Sequence, residues 1–318
     1  MRSKLYNDNL LIEAQTHIDR LHLNIAWERF CEFYKKAGAI RKNDEYLLGL
    51  FGACLGYLPD EGMKFKDYGA HIIDAGKVIG IIEILNETNA DKNLVIQRAF
   101  ARLGEHEEAR YIIITDKKIL RFYLDYEAQW QSFYFDDLDF LEFCKFYALL
   151  NYNALKSGIP VTMRERTAYR EQDISSKLYR NFKIFRMSLF EDMCIQNESL
   201  NHLLLSEALN KLCDRIIFAI YASHNELLPS GALESVQTYD ELKSLFALIH
   251  TGDEECGVVR FNGDLFAPDL LLDNLKISDL ALELNLISKY DYKLDVTPDM
   301  LSYILSQIYN FEEIFQKN

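Results

Sequence analysis

The sequence lacks paired cysteines, an apolar signal segment and any long apolar run, and each absence excludes a class of protein. Its six cysteines are scattered, with no Cys-x-x-Cys pair and no histidine at ligand spacing, so they indicate neither a zinc site nor a disulfide framework. The longest apolar run, IIFAIYA at 216–222, is too short to span a bilayer. The N-terminal residues contain no apolar core of the kind that signal peptides have. We therefore expect a protein that works in the reducing cytoplasm and not in a membrane.

Positive charge is also scarce. The formal net charge of −14 at pH 7 argues against a protein that coats a polyanion, because phosphate neutralisation needs clustered lysine and arginine. The nucleotide-binding loops GxxxxGK[ST] and GxGxxG are both missing. No histidine has a serine, cysteine or histidine at a spacing that suggests a catalytic triad or a metal cluster. A local surface that faces DNA remains compatible with this composition.

What the chain does have is enough apolar sequence for two domains, since 49% of its 318 residues are hydrophobic. The apolar spacing predicts one long helix over 9–37 that ends at Gly38, and a second, buried helix over 44–58. Short β-branched segments then predict a hairpin, a helix and two further strands, in the order DYGAHII, VIGIIEIL, DKNLVIQRAFARLG, RYIIIT and ILRFYL. This order predicts an α/β sandwich.

Beyond Asp136 the strand signals become rare. Residues 200–224 are apolar at helical spacing for several turns, and the chain closes in the same style. We therefore predict a second domain that is mostly helical, with small strands around VVRFNGDLF at 258–266. Within that stretch FNGDLF is most simply a turn, because Asn-Gly is a strong turn dipeptide.

Glu83 is the one carboxylate inside the apolar strand VIGIIEIL. A metal-dependent nuclease of the α/β type needs acidic oxygens from two neighbouring strands to hold Mg²⁺, and a cation nearby. If residues 74–76 form a three-residue hairpin loop, Asp67 lies directly opposite Glu83 and the two form a metal-holding pair. Leu85, which shares a strand face with Glu83, then occupies the place where such nucleases have a lysine.

Other arrangements of these groups remain open. A two-residue loop puts Lys66 opposite Leu85, on the face of Glu83, and turns Asp67 away. Gln97 on the following helix and Glu13 on the first helix complete the polar groups that would face the same cleft. A single glutamate in an apolar strand is also often a structural group that is satisfied by hydrogen bonds.

One segment, 156–186, is strongly basic, with eight basic residues against three acidic ones. One interpretation is that its side chains contact DNA phosphates, with aromatic residues between them. The other is a solvated helix face. The candidate DNA-binding residues are Arg164, Arg166, Arg170, Lys177, Arg180, Lys183 and Arg186.

The C-terminal half contains four ordered blocks, SKLYRNFKIFRMSLFEDM, LCDRIIFAIYASHNELLP, VRFNGDLFAPD and ISKYDYKLDVTPDMLSYILSQIYNFEEI. In this order they resemble the region that precedes the methyltransferase domain in type IIG restriction-modification enzymes. The N-terminal half resembles the nuclease domain of the same family through EAQT, DYGAH, IIEIL and IIITDKKILRFYL. The resemblance implies an α+β chain in which a degenerate, PD-(D/E)xK-like restriction-endonuclease domain over 1–148 precedes a mostly α-helical connector domain over 149–318.

The family pattern also assigns roles to residues. It implies that Asp67 and Glu83 are the metal-binding acids and that Gln97 is the glutamine on the helix. Two positions depart from the family, Leu85 in place of the lysine and Asp264 in place of the second glycine of Asn-Gly-Gly-Leu-Phe. The cofactor loop and the Asn-Pro-Pro-Tyr motif of the methyltransferase are missing, so we expect no S-adenosylmethionine site in this chain.

These expectations give three hypotheses about function. The first is a truncated or split type IIG component with an inactive nuclease-fold domain, which contacts DNA or docks to a separately encoded methyltransferase or specificity chain. The second is a working endonuclease that uses Mg²⁺ at Asp67 and Glu83. The third is an interaction protein without catalysis.

Overall fold

The computed structural model describes residues 5–85, 92–261, 263–279 and 282–315. The chain is a mixed α/β protein with a six-stranded mixed sheet and a helical region. It divides into two compact units, 1–168 and 169–318, which we call the sheet unit and the helical unit. The division falls within one long helix, Ile159–Gln196, whereas the sequence predicted a domain boundary between 148 and 149.

The N-terminal region is helical, as predicted, but its helices are shorter than the apolar spacing suggested. It contains α1 (Asp8–Thr16), α2 (Arg20–Ala37) and α3 (Asn43–Leu47), and α3 continues as a π-helical segment, Leu48–Cys54. The single helix predicted over 9–37 is wrong because Asp19 begins a new helix: its side chain accepts a hydrogen bond from the His22 backbone N–H at 3.0 Å. The helix predicted over 44–58 ends at Cys54.

The strands lie in the sheet in chain order, β1-β2-β3-β4-β5-β6. Their bounds are β1 (Met63–Lys66), β2 (Gly69–Asp74), β3 (Lys77–Ile84), β4 (Tyr111–Thr115), β5 (Ile119–Leu124) and β6 (Gln131–Tyr134). All neighbours are antiparallel except β3 and β4, which are parallel and are joined through α4 (Lys92–Leu103). The sequence prediction omitted β1 and β6, because four residues are too few to establish an alternating pattern.

The two faces of the sheet are covered differently. Ile82 and Ile84 of β3 face a large core that includes residues of α2 and of α5 (Phe140–Leu150). Ile81 lies on the opposite face from Ile82 and Ile84 and packs in a smaller cluster with Ala99 of α4. Glu83 is two positions from Ile81 and so shares its face. Glu83 therefore points to the α4 side of the sheet. The sheet unit is completed by α6 (Tyr152–Lys156) and the start of α7 (Ile159–Gln196).

The helical unit has its own core around α7 and α8, which includes Phe182, Phe185, Leu212, Ile216 and Phe246. Its elements after α7 are α8 (His202–His224), α9 (Tyr239–Thr251), α10 (Leu270–Asn274), α11 (Asn285–Ser288) and α12 (Pro298–Phe315). The mostly helical character predicted for this part of the chain is confirmed. Of the small strands predicted around 258–266, the described residues contain only a bridge between Asp253 and Val258. Asn262 of the predicted turn lies outside the described residues.

Across the described ranges, no helix combines the length and the apolar character that crossing a membrane requires.

Candidate functional site

The hairpin that carries Glu83 has a different register from either prediction. Its turn contains two residues, because Asp74 pairs with Lys77, and an irregularity between Ile72 and Ile73 then shifts the ladder so that Glu83 pairs with Gly69. The three-residue loop that placed Asp67 opposite Glu83 is therefore wrong. The two-residue loop is correct, but the bulge removes the register that it implied for Lys66.

Asp67 and Lys66 belong to the preceding turn. Lys66 pairs with Gly69 at the end of β1 and β2, so Asp67 and Tyr68 form a two-residue connection between these strands. Asp67 is exposed there. The structure thus places one predicted metal-binding acid in an exposed turn and the other in a buried strand.

Glu83 is held by an arginine from α4. One carboxylate oxygen, Oε2, lies 2.5 Å from Nη1 of Arg102, and only 6% of the glutamate side chain is exposed. Burial raises the pKa of the Glu83 carboxyl above its ordinary value, and the hydrogen bond and positive charge of Arg102 oppose this rise. The pair is a charge-assisted hydrogen bond between a buried carboxylate and a guanidinium whose side chain is 26% exposed.

An aromatic residue and two histidines surround this ion pair. The Arg102 guanidinium lies over the Tyr68 ring at 3.8 Å from its centroid. The Tyr68 hydroxyl is 2.7 Å from Nε2 of His71, whose ring contacts that of His106 with a centroid separation of 4.8 Å. Burial, together with nearby cations, lowers the pKa of His71 to about 4, so this histidine is neutral near pH 7. Glu83, Arg102, Tyr68, His71 and His106 are named the Glu83 cluster below.

The other predicted site residues lie away from the cluster or contribute no polar group to it. Leu85 donates its backbone N–H to the Thr115 carbonyl at 2.8 Å, and its side chain packs among the apolar residues on the α4 side of the sheet. Gln97 is exposed on α4. Glu13 is exposed on α1, which packs on α5 at the other face of the sheet, and its carboxylate accepts from Arg166 at 2.8 Å.

The Glu83 cluster does not fit a magnesium ion. Mg²⁺ requires several oxygen ligands in octahedral geometry, whereas Glu83 is the single carboxylate of the cluster and is already engaged by a fixed cation. Throughout the described ranges, no group of three or more His, Cys, Asp or Glu side chains is arranged to hold a metal. The Glu83 cluster by itself therefore lacks the oxygen ligands that a Mg²⁺ site needs.

Most of the candidate DNA-binding residues on α7 contact other residues of the same chain. The pairs are Arg164 with Glu127, Arg166 with Glu13, Arg170 with Asp295, Lys177 with Asp173, and Arg186 with Asn210. Arg180 and Lys183 are exposed. Four of the seven cations are thus neutralised by a carboxylate, which reduces the positive charge that α7 presents to a polyanion.

Sequence reasoning missed Arg102, although its position carried a signal. Val95 and Ala99 are buried on α4, and Arg102 follows at helical spacing on the same apolar face. A cation on an apolar helix face predicts a buried acidic partner, and Glu83 is the carboxylate on the strand that α4 covers. Tyr68 and His71 gave no comparable signal, since their roles depend on the bulged register.

The fold and site define a mixed α/β unit with a buried carboxylate–guanidinium pair, followed in the chain by a helical unit. Comparison of the chain with protein-family models, with curated proteins and with solved structures gives no match.

Proposed function

We propose that this chain is a non-cleaving component of a type IIG-like restriction-modification system. In this proposal the sheet unit is a PD-(D/E)xK-like nuclease domain that has lost catalysis, and the helical unit is a connector. The chain acts in the cytoplasm by docking to a separately encoded methyltransferase or recognition chain, and secondarily by contact with DNA. The resemblance of the sequence blocks suggests the family, and the Glu83 cluster supports the loss of cleavage.

The observation that carries the proposal is the Arg102–Glu83 ion pair. In a metal-dependent nuclease the strand carboxylate binds a divalent cation that activates water. Here a guanidinium satisfies the carboxylate instead. An arginine remains protonated and, unlike a divalent cation, does not bind a water molecule and promote its ionisation. Leu85 adds an apolar side chain where the family has a lysine. Both changes favour a retained scaffold over a working nuclease.

Exposed apolar side chains on the helical unit support docking to a protein. Ile184, Met187 and Ile195 of α7 are 48%, 54% and 67% exposed, and their spacing places them on one side of the helix. Leu203 and Leu204, at the start of α8, are 52% and 44% exposed. Exposed apolar side chains grouped in this way are a feature of interaction sites in soluble proteins.

The docking proposal is tested by co-expression with the adenine methyltransferase that is encoded nearest to this chain in its genome. We expect the tagged chain to retain the methyltransferase through purification. Serine substitutions at Ile184, Met187 and Ile195 should abolish retention, whereas serine substitutions at the exposed Ile12 and Leu21 of the sheet unit should not. Failure to retain the methyltransferase, or retention unaffected by the α7 substitutions, would reject this docking surface.

Contact with DNA has narrower support, which comes from the exposed positions of Arg180 and Lys183 on α7. Fluorescence anisotropy with labelled duplex DNA over a range of salt concentrations measures the binding of the chain to DNA directly. We expect weak binding that falls with salt, and a further loss when Arg180 and Lys183 are both changed to glutamine. The matched control changes the exposed Lys35 and Lys36 of α2 to glutamine. Equal effects of the two double variants would remove DNA contact by α7 from the proposal.

A further inference from the structure

The helical unit contains a cavity that the proposed function does not use. Its volume is about 230 Å³, and it is lined by residues of α8, α9 and the segment 266–273. Three aromatic side chains contribute to its wall, Tyr239, Phe246 and Phe266. Pockets for drug-sized ligands have volumes of about 300 to 1,000 Å³. A cavity below that range suits a compound with a single ring.

A buried arginine forms one side of this cavity. Arg215 is 3% exposed, and it donates from Nε to the Leu265 carbonyl at 2.7 Å and from Nη2 to the Ala267 carbonyl at 2.6 Å. Within the described residues, no carboxylate forms an ion pair with Arg215 and its Nη1 makes no hydrogen bond. Asp269 and Asp273 act on Arg215 through their charge without an ion pair to it, and a buried charge that is incompletely paired is unfavourable. The guanidinium therefore has capacity for an anionic partner.

The remaining polar groups that line the cavity have no hydrogen bond to Arg215 among the described residues. Lys243 pairs with Asp240 at 2.7 Å, and the Asp273 carboxylate accepts the Asp269 backbone N–H at 3.1 Å. Nδ1 of His250 is buried and has no hydrogen-bond partner. Burial lowers the pKa of Arg215, while the charges of Asp269 and Asp273 oppose this effect. An arginine remains protonated at neutral pH in either case.

We propose that this cavity binds a small aromatic anion with a single ring, whose carboxylate or phosphate group contacts Arg215 and whose ring lies among Tyr239, Phe246 and Phe266. The planar guanidinium matches the geometry of both anionic groups. The aromatic wall provides offset and edge contacts for the ring. This site is independent of the proposed role in restriction and modification, since it uses no residue of the Glu83 cluster or of the α7 surface.

Isothermal titration calorimetry of the full chain tests the proposal with three probes. Benzoate and phenyl phosphate carry the two anionic groups, and benzyl alcohol is a neutral compound of similar size. We expect at least one anion to bind with one site per chain and benzyl alcohol to give no binding heat. The relative affinity of benzoate and phenyl phosphate assigns the anionic group. Absence of binding by both anions, or equal binding of benzyl alcohol, would overturn the proposal.

Variants that fill the cavity locate the binding site without removing Arg215, whose side chain also holds the segment 265–267. Ala247 and Thr251 are exposed residues of α9 that line the cavity. We expect Ala247→Trp and Thr251→Tyr each to eliminate the binding heat, and Ser188→Trp on the exposed side of α7 to retain it. Thermal unfolding of each variant establishes that it is folded. Binding that persists in either folded cavity variant would contradict the assignment.

Discussion

Glu83 illustrates how a single contact changes what a residue can do. In the proposed nuclease-like domain the glutamate corresponds to a metal-binding acid, but Arg102 satisfies its carboxylate from α4. Removal of one partner from a buried ion pair leaves the other charge desolvated, whereas replacement of both partners is often neutral. The role of this pair can therefore be tested through the free energy of unfolding, without an assay of activity.

We predict that Arg102→Met lowers the free energy of unfolding by about 3 kcal/mol near neutral pH, because Glu83 then lacks its cation. The double variant Arg102→Met with Glu83→Gln should recover most of this loss. Urea denaturation of the three proteins measures both effects. If the double variant is no more stable than Arg102→Met, the loss arises from the packing of Arg102 and not from the buried charge.

The same pair has a defined pH dependence. Because the pKa of Glu83 in the folded chain is raised, its contribution to stability is complete below the ordinary glutamate pKa and is lost as the pH rises through the raised value. Arg102→Met removes the cation that limits this rise. We predict that the variant differs little from the parent at about pH 4, where Glu83 is protonated, and differs most at about pH 8. Denaturation series at both values measure the difference, and a pH-independent loss would contradict the account.

Gly69 is the residue opposite Glu83, and its position requires the absence of a side chain. Its φ is 155°, and a Cβ there would lie 2.1 Å from the Ile82 carbonyl oxygen. We predict that Gly69→Ala lowers the free energy of unfolding by about 3 kcal/mol because neighbouring strands must separate. Gly38→Ala, where a Cβ meets nothing within 4 Å, is the matched control and should change stability by less than about 0.5 kcal/mol. Similar effects at both positions would contradict the observed register.

At the residue scale, the sequence identified Glu83 but not its neighbours. The glutamate stood out because it interrupts an apolar strand. Arg102 is nineteen residues away in the chain, so its contact with Glu83 depends on how α4 packs on the sheet. Asp67 was placed opposite Glu83 only because the loop length was assumed, and it lies instead in the two-residue connection between β1 and β2.

At the scale of elements, the turn between β2 and β3 determines which residues of the hairpin face each other. Ala75 and Gly76 have φ angles of 49° and 80°, which is the left-handed pair that two-residue hairpin turns require. Alanine is strained in this conformation, whereas asparagine and glycine adopt it readily.

We predict that Ala75→Asn raises the free energy of unfolding by about 0.5 to 1 kcal/mol, because Asn-Gly is the preferred sequence for this turn. Gly76→Ala should have the opposite effect, a loss of about 1 kcal/mol from backbone strain, since a Cβ there meets no atom within 4 Å. Thermal or urea denaturation measures the two changes. A destabilising Ala75→Asn would indicate a turn of a different type.

Several elements were predictable because local pattern alone determines them. β5 matches the predicted strand ILRFYL at 119–124, and the helix after β3 ends at Leu103, just before the predicted Gly104. The bulge in the β2–β3 ladder, where Ile79 of β3 is the extra residue, and the π-helical segment after α3 were not predictable in this way. Both are local departures from regular hydrogen bonding that the packing of neighbouring elements favours.

At the scale of the whole molecule, the chain combines a sheet unit with a neutralised acidic site and a helical unit with exposed apolar residues. The order of the two classes of structure follows from the change in periodicity near Asp136. The change in periodicity did not predict the position of the boundary between the two units, because α7 runs as one continuous helix through residues 168 and 169. Composition shifts do not mark a boundary inside a helix.

The central claim is that the Arg102–Glu83 pair leaves the sheet unit without nuclease activity. Its most direct test is incubation of the purified chain with supercoiled plasmid and mixed-sequence duplex DNA in Mg²⁺ or in Mn²⁺, with and without S-adenosylmethionine, beside a Glu83→Ala control. We predict that no reaction nicks or linearises the DNA above the level of the control. Metal-dependent cleavage by the parent chain that is lost in Glu83→Ala would contradict the claim and establish the rival hypothesis of a working endonuclease.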